Sequence, residues 1–224
     1  MRCFHDPHIM HHDFWHQRWQ HQQIGFHLHE VNPFLLAHVE ALKLQPGHRI
    51  LVPLCGKTLD IHWLLAQGLQ VVGAELSAIA VSALFAELNL VPEITQTGTL
   101  KHYRTAQLEV FQGDFFALDR TLLGPVDAVY DRAALIALPN EMRRQYSQHL
   151  INLTHTAPQL LISFAYDQSL LQGPPFSVNK EEVGAHYQAH YQCTLLTSVF
   201  MEKGLKGQYP AEETAWLLSP RSSN

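Results

Sequence analysis

The chain has 224 residues, 46% hydrophobic and 16% charged. That is the size and apolar content of one globular domain, and it excludes a largely disordered chain. Its 15 Lys+Arg against 20 Asp+Glu give a net charge of -5, which argues against a nucleic-acid-binding module, since such modules carry a basic face.

The N-terminal region is rich in histidine: of sixteen in the chain, six fall within the first 21 residues. His8, His12 and His16 are spaced to share a helix face, which keeps a His-rich metal or ligand binder among the readings, although no carboxylate or cysteine completes a defined site. Trp15 and Trp19 are also four apart and share one helical face, with Asp13 as a candidate N-cap. No apolar run approaches the ~18 residues that cross a bilayer, and the first residues carry no stretch of signal-peptide type. Cys3, Cys55 and Cys193 are odd in number and scattered, so no disulfide framework or CxxC knuckle can be drawn. A cytoplasmic protein is the expectation.

From residue 49 short apolar strands alternate with amphipathic helices. RILVP (49–53) reads as a buried strand, and a helix over 58–67 carries Ile61, Leu64 and Leu65, closed by Gly68. QVVGAE (70–75) is the second strand, and Ser77 caps a helix with Val81, Leu84, Phe85 and Leu88 at the 3.6-residue period. Residues 92–113 interrupt the alternation with LKHYR and QLEVFQ, read as a hairpin that ends in the third core strand. VDAVYD (126–131), a helix over 140–153 with Met142, Tyr146, Leu150 and Leu153 on one face, and QLLISFAY (159–166) continue the series. QGPPFSV (172–178) is a loop beside the ligand-binding edge, and a short helix near 180–190 precedes two last strands, CTLLTSVF and TAWLLS. The alternation predicts a mostly parallel sheet with helices on both faces, and an antiparallel pair at its C-terminal edge.

In such a sheet ligands bind beyond the carboxyl ends of the strands. Four segments fall there. VPLCGK (52–57) places Gly56 in a strand-to-helix turn, where the backbone can approach a ligand closely. It is not G-x-G-x-x-G, which weakens a dinucleotide reading. Glu75 ends the second strand, 19 residues on, where a carboxylate accepts hydrogen bonds from both hydroxyls of a ribose. In FQGDFF (111–116), Asp114 suits an exocyclic amine and Phe115 a ring face. In YDRAAL (130–135), Asp131 and Arg132 form a charge pair at the cleft mouth, with Arg132 suited to an anionic group. Each segment alone has a structural alternative: a turn, a cap, core phenylalanines or a structural ion pair. A glycine turn, two carboxylates and an arginine at successive strand ends together describe a site for S-adenosylmethionine.

FWHQRW (14–19), IGFH (24–27), NPFL (32–35), VPLCGKTLDIHWL (52–64), VVGAELS (71–77), GDFF (113–116), YDRAAL (130–135) and GPPFSV (173–178) run in order along the chain. On these segments the chain resembles the bacterial thiopurine S-methyltransferases over nearly its whole length. The resemblance implies a Rossmann-like, seven-stranded class I methyltransferase sheet, α/β, mostly parallel with an antiparallel C-terminal strand. It implies one domain, with residues 1–9 a disordered extension and 10–45 a lid over the cofactor. It implies cofactor contacts from Trp15, Trp19, Leu54, Gly56, Glu75, Asp114, Phe115 and Arg132. Phe26, His27, Pro175 and Phe176 are the acceptor-binding residues it implies.

The reaction so implied is in-line methyl transfer from S-adenosylmethionine to the sulfur of an aromatic or heterocyclic thiol such as a thiopurine, or to a selenium or tellurium species, as detoxification. The products are the methylated acceptor and S-adenosylhomocysteine. A heterocyclic thiol is ionised near neutral pH, so no strong base is needed, and alignment supplies ~7–11 kcal/mol. Arg132 would orient the acceptor. The partners implied are small molecules only, with no nucleic acid and no membrane, and the expected state is a monomer. An NAD-dependent oxidoreductase on a similar sheet is the competing enzyme reading, disfavoured by the missing glycine fingerprint and the antiparallel terminal strands.

Overall fold

The computed structural model describes residues 7–221. Helix α1 (Pro7–Gln20) is followed by α2 (Pro33–His38). Asn32 starts α2 by accepting from the N–H groups of Phe34 and Leu35, and Pro33 occupies the first helical position, where a missing N–H costs nothing. Asp13, expected as an N-cap, lies inside α1, which begins at Pro7. Of the expected extension over 1–9, residues 1–6 lie outside the described residues.

Strand β1 (Arg49–Pro53), helix α3 (Leu59–Ala66), β2 (Gln70–Glu75) and α4 (Ala78–Glu87) form the first two strand–helix units. Thr58 and Ser77 cap the two helices through their side chains. Gly68, at φ +78°, turns the chain after α3 where a side chain would be strained. Strands β3 (Glu93–Thr97), β4 (Leu100–Arg104) and β5 (Leu108–Gln112) then run as a meander. Helix α5 (Arg120–Leu123), β6 (Ala128–Arg132), α6 (Ala134–Ala137), α7 (Asn140–Thr154), β7 (Gln159–Tyr166), α8 (Lys180–Tyr187), β8 (Tyr191–Phe200) and β9 (Ala211–Pro220) complete the chain.

The strands make one sheet in the order β3-β4-β5-β2-β1-β6-β7-β9-β8. Its five central strands are parallel, β4 pairs antiparallel with both neighbours, and β9 inserts antiparallel between β7 and β8. The class I methyltransferase architecture is therefore present, with nine strands rather than seven. The two additional strands are β3 and β4, which extend the sheet beyond β5. The LKHYR–QLEVFQ hairpin was legible in the sequence, but EITQT was not. It is an edge strand with little buried surface, its Ile94 is 55% exposed, and no apolar alternation marks it.

Two apolar clusters cover the two faces of the sheet. One gathers α7, α8 and the Phe115 turn, and the other gathers α2, α3 and α4. Successive residues of β6 serve both. The Tyr130 hydroxyl donates to Asp60 on one side at 3.0 Å, and Asp131 accepts from the Tyr146 hydroxyl on the other at 2.7 Å. Asp131 also accepts from the N–H groups of Ala134 and Leu135, both at 3.2 Å, and so starts the short helix α6. The expected Asp131–Arg132 charge pair does not form. The two side chains leave opposite faces of the strand, and Asp131 is wholly buried against α7.

Burial pushes the Asp131 carboxyl up to about 6, against the opposing pull of its three donors. The unfolded chain would ionise it near the ordinary value of about 3.9. A carboxyl with a raised folded value binds its proton more tightly when folded, so its contribution to stability grows as pH falls between these values. Lowering pH from 7 to 5 is expected to stabilise the wild type relative to Asp131→Asn by about 1 kcal/mol. Urea unfolding of both proteins at the two pH values checks this, and a difference of the opposite sign would refute it.

Candidate active site

The strand order reverses between β1 and β6: from β1 the chain winds outward through β2 to β5, then returns to β6 on the other side. The loops after these strands bound a crevice at their carboxyl ends. The turn after β1 is sharply bent, with Leu54 at φ +49° and Gly56 at φ +54°. Ala133, after β6, sits at φ +79°. Two non-glycine residues in the left-handed region thus flank the reversal point, where strain is tolerated because the surroundings fix it.

Glu75 fixes the first turn. It is 6% exposed; one carboxylate oxygen accepts from the Gly56 N–H at 2.8 Å and the other from the Ser77 N–H at 2.7 Å. Burial raises its pKa, and the backbone donors of Ser77, Gly56 and Leu76 oppose that rise. The carboxylate keeps acceptor capacity for a hydroxyl donor in the crevice.

Helix α1 lies along the crevice and is held at several points. The Trp19 ring packs over Gly56, so closely that a Cβ there would stand 3.2 Å from the indole. Phe26 meets Trp15 and Trp19 edge-on, at centroid distances of 5.5 and 5.7 Å. One Arg132 Nη donates to the Phe26 carbonyl at 3.1 Å. His12 Nε2 stands 3.8 Å from an Asp114 oxygen. Asp114 itself caps the 3-10 turn Phe115–Ala117 by accepting from Phe116 at 2.9 Å.

The cavity measures about 550 Å³, within the range of small-molecule and cofactor sites. Trp15, Trp19, Leu54, Gly56 and Glu75 line it at the β1 and β2 ends. Asp114, Phe115 and Arg132 line it beyond β5 and β6, with Phe26 and Pro175. Ten of the twelve residues expected from the sequence thus share one cavity. His27 does not line it: it borders a second, smaller space of about 30 Å³ that Phe26 and Arg132 also line. Phe176 does not line it either. Its N–H is tied to the Ile136 carbonyl at 2.7 Å and its ring lies under the Arg143 guanidinium, so it braces the loop behind Pro175.

Sequence reasoning missed several wall residues. Met142 and Tyr146 reach the cavity from α7, and their helical spacing had marked them only as core. Leu205 and Lys206 reach it from the β8–β9 loop, where no strand end or motif singled them out. Ala133 carries no sign of its positive φ. The cavity offers a buried diol acceptor at Glu75, an amine acceptor at Asp114, and indole faces that attract a cation with ~0.5–2 kcal/mol. Those residues fit a cationic nucleoside such as S-adenosylmethionine.

The family model of thiopurine S-methyltransferase matches residues 10–215. The chain is similar to the thiopurine S-methyltransferase of Xanthobacter autotrophicus, 56% identical over 92% of this chain and 97% of that protein. The one from Gluconobacter oxydans is 47% identical over 92% and 94%, and that from Acinetobacter baylyi 46% over 95% and 100%. Among solved structures, the Burkholderia thailandensis 1,6-didemethyltoxoflavin-N1-methyltransferase, with S-adenosylhomocysteine bound, superposes with a TM-score of 0.65 at 14% identity, covering 98% of this chain and 93% of that one. A methyltransferase dependent on S-adenosylmethionine from Anabaena variabilis gives 0.61 at 15% identity, covering 94% and 95%. At such identities these two likenesses show the fold.

The contact between Gly56 and Trp19 is testable without a ligand. Gly56→Ala is expected to cost about 1–2 kcal/mol from the left-handed backbone, with a further loss from displacing the indole. In a Trp19→Phe background that further loss should vanish. Urea denaturation of the four proteins measures it, and equal costs in both backgrounds would show that no steric contact exists.

Proposed function

The chain belongs to the thiopurine S-methyltransferase family and is a methyltransferase that uses S-adenosylmethionine; from that premise we propose that it methylates the sulfur of small aromatic and heterocyclic thiols, thiopurines among them. The observation that carries this reading is the largely apolar cavity that brings Arg132, Phe26 and Pro175 together with Glu75. Selenols suit the same space, since selenium is a soft nucleophile like sulfur, and a detoxifying role follows from such a choice of acceptors. Among the described residues no helix is long and apolar enough to cross a membrane.

S-Adenosylmethionine, when bound, supplies a methyl group on a positively charged sulfur. In this reading Glu75 accepts the ribose hydroxyls through its remaining acceptor capacity, while its other hydrogen bonds hold the Gly56 turn in place. Asp114 accepts from the adenine amine and Phe115 packs against the ring. Trp15 and Trp19 face the sulfonium and close the crevice against water, so that α1 and its following loop act as a lid. Leu54 and Gly56 shape the floor. Arg132 faces the acceptor, where its charge favours a thiolate over a thiol. Phe26, fixed by both tryptophans and by Arg132, aligns the acceptor ring. Catalysis then rests on positioning, worth ~7–11 kcal/mol for a well-aligned pair, and it requires no nucleophilic side chain.

Calorimetric titration with S-adenosylmethionine and with NAD, followed by methyl-transfer assays on a panel of thiols and selenols, tests the reading. Binding of S-adenosylmethionine and turnover of heterocyclic thiols are expected. Arg132→Ala is expected to lower kcat/KM for them at least tenfold, about 1.4 kcal/mol. Failure to methylate any thiol on the panel would overturn the acceptor assignment, and an unchanged kcat/KM would remove Arg132 from its role.

A further inference from the structure

The second space, about 30 Å³, adjoins the main cavity, with which it shares Trp19, Phe26, Leu54, Gly56, Arg132 and Ala133 as lining. A space of this size has room for one water, and the polar residues His27, Asp60 and Tyr130 are among those that border it. Asp60 is held in place by one donor on each oxygen: it accepts from the Asn32 N–H at 2.7 Å and from the Tyr130 hydroxyl at 3.0 Å. One Arg132 Nη is held by the Phe26 carbonyl. His27 differs from both. Its ring meets His29 edge-on at 6.0 Å, and among the described residues no hydrogen bond fixes either ring nitrogen. It is half-buried and borders the small space.

Resting on the assignment of a thiol acceptor, we propose that His27 is the proton acceptor for thiols that reach the site un-ionised, receiving the proton through one water in the small space. The acceptor's S–H bond breaks and its proton passes to the water, which delivers one of its own protons to a His27 ring nitrogen. The acceptor sulfur uses its electron pair to form the new bond to the methyl carbon. The pair of the broken carbon–sulfonium bond stays on the donor sulfur, which becomes a neutral thioether. His27, only half-buried, then returns the proton to solvent.

The groups around the ring suit this task. Burial, then Lys57, His29 and Arg132, disfavour its cation, and Glu87 alone opposes them, so its pKa lies below 6.5. The ring is therefore neutral at pH 7 and able to accept. Cys55 and Tyr130, which also border the space, are raised well above their ordinary values and stay protonated. A pre-ionised heterocyclic thiol needs no such acceptor, so His27 widens the range of thiols and is not required for every substrate.

The test compares His27→Gln with the wild type on two acceptors, a heterocyclic thiol ionised at pH 7 and a benzylic thiol that is not. The ratio of kcat/KM, benzylic over heterocyclic, is expected to fall about 100-fold, the scale of a lost general base. The wild-type benzylic profile should carry an acidic limb below pH 6.5 that disappears in the variant. Imidazole resonances of His27 give a readout independent of turnover: they should titrate below pH 6.5 and shift when the benzylic thiol binds together with S-adenosylhomocysteine. An equal fall for both acceptors, an unchanged ratio, a persistent limb or an unshifted imidazole would overturn the role of His27. A wild type that methylates neither thiol would overturn the acceptor assignment itself, and this inference with it.

Discussion

The carboxylate of Glu75 joins two chain reversals that the sheet alone leaves separate. The turn after β1 and the turn after β2 end adjacent parallel strands, and each presents a backbone N–H that needs a partner away from water. One buried carboxylate satisfies both, at 2.8 and 2.7 Å. Burying a charge is costly without such donors, so the two turns and the carboxylate are mutually dependent. Gly56 held in this way takes φ +54° and leaves the flat space over which the Trp19 indole lies. The position of α1 along the cavity thus depends on that pair of hydrogen bonds, together with the ring contacts of Phe26 with Trp15 and Trp19.

On the other side of the reversal point, β6 is supported from beneath by two buried tyrosine–carboxylate pairs, one on each face of the sheet. Asp131 binds the start of α6 and Tyr146 of α7, which also forms cavity wall. Asp60 binds Asn32 at the start of α2 and Tyr130 in the strand. A removed partner would leave a buried charge without its donor, a loss of several kcal/mol by comparison with other buried polar networks. The end of β6 is thus a rigid mount for Arg132, and the Phe26 carbonyl completes its alignment.

Much of this was legible because it follows periodicity and strand ends. Helix α7 showed Met142, Tyr146 and Leu150 at helical spacing, and β1, β2 and β7 showed unbroken apolar runs; all form as expected. Glu75 and Gly56 could be read as a pair because their spacing fits adjacent strand ends. Three kinds of feature were hidden. Strand β3 has too little buried surface to leave a pattern. Leu54 and Ala133 adopt φ values that the sequence marks only when glycine or asparagine stands there. Asp131 looks, as a neighbour of Arg132, like half of an ion pair, and only the alternation of side chains across a strand assigns it to the core. The wall formed by Leu205 and Lys206 depends on a loop folding back over the sheet, which no local signal records.

The account stands most directly on the double role of Glu75, as clamp of the β1 turn and as acceptor for the cofactor's ribose. Calorimetric titration of wild type and Glu75→Gln with S-adenosylhomocysteine measures it. The amide keeps the shape but loses the charge and one acceptor, and hydrogen bonds to charged groups are worth about 1.5–3 kcal/mol. The account predicts that the variant folds and binds at least tenfold more weakly. A folded variant with wild-type affinity would contradict it.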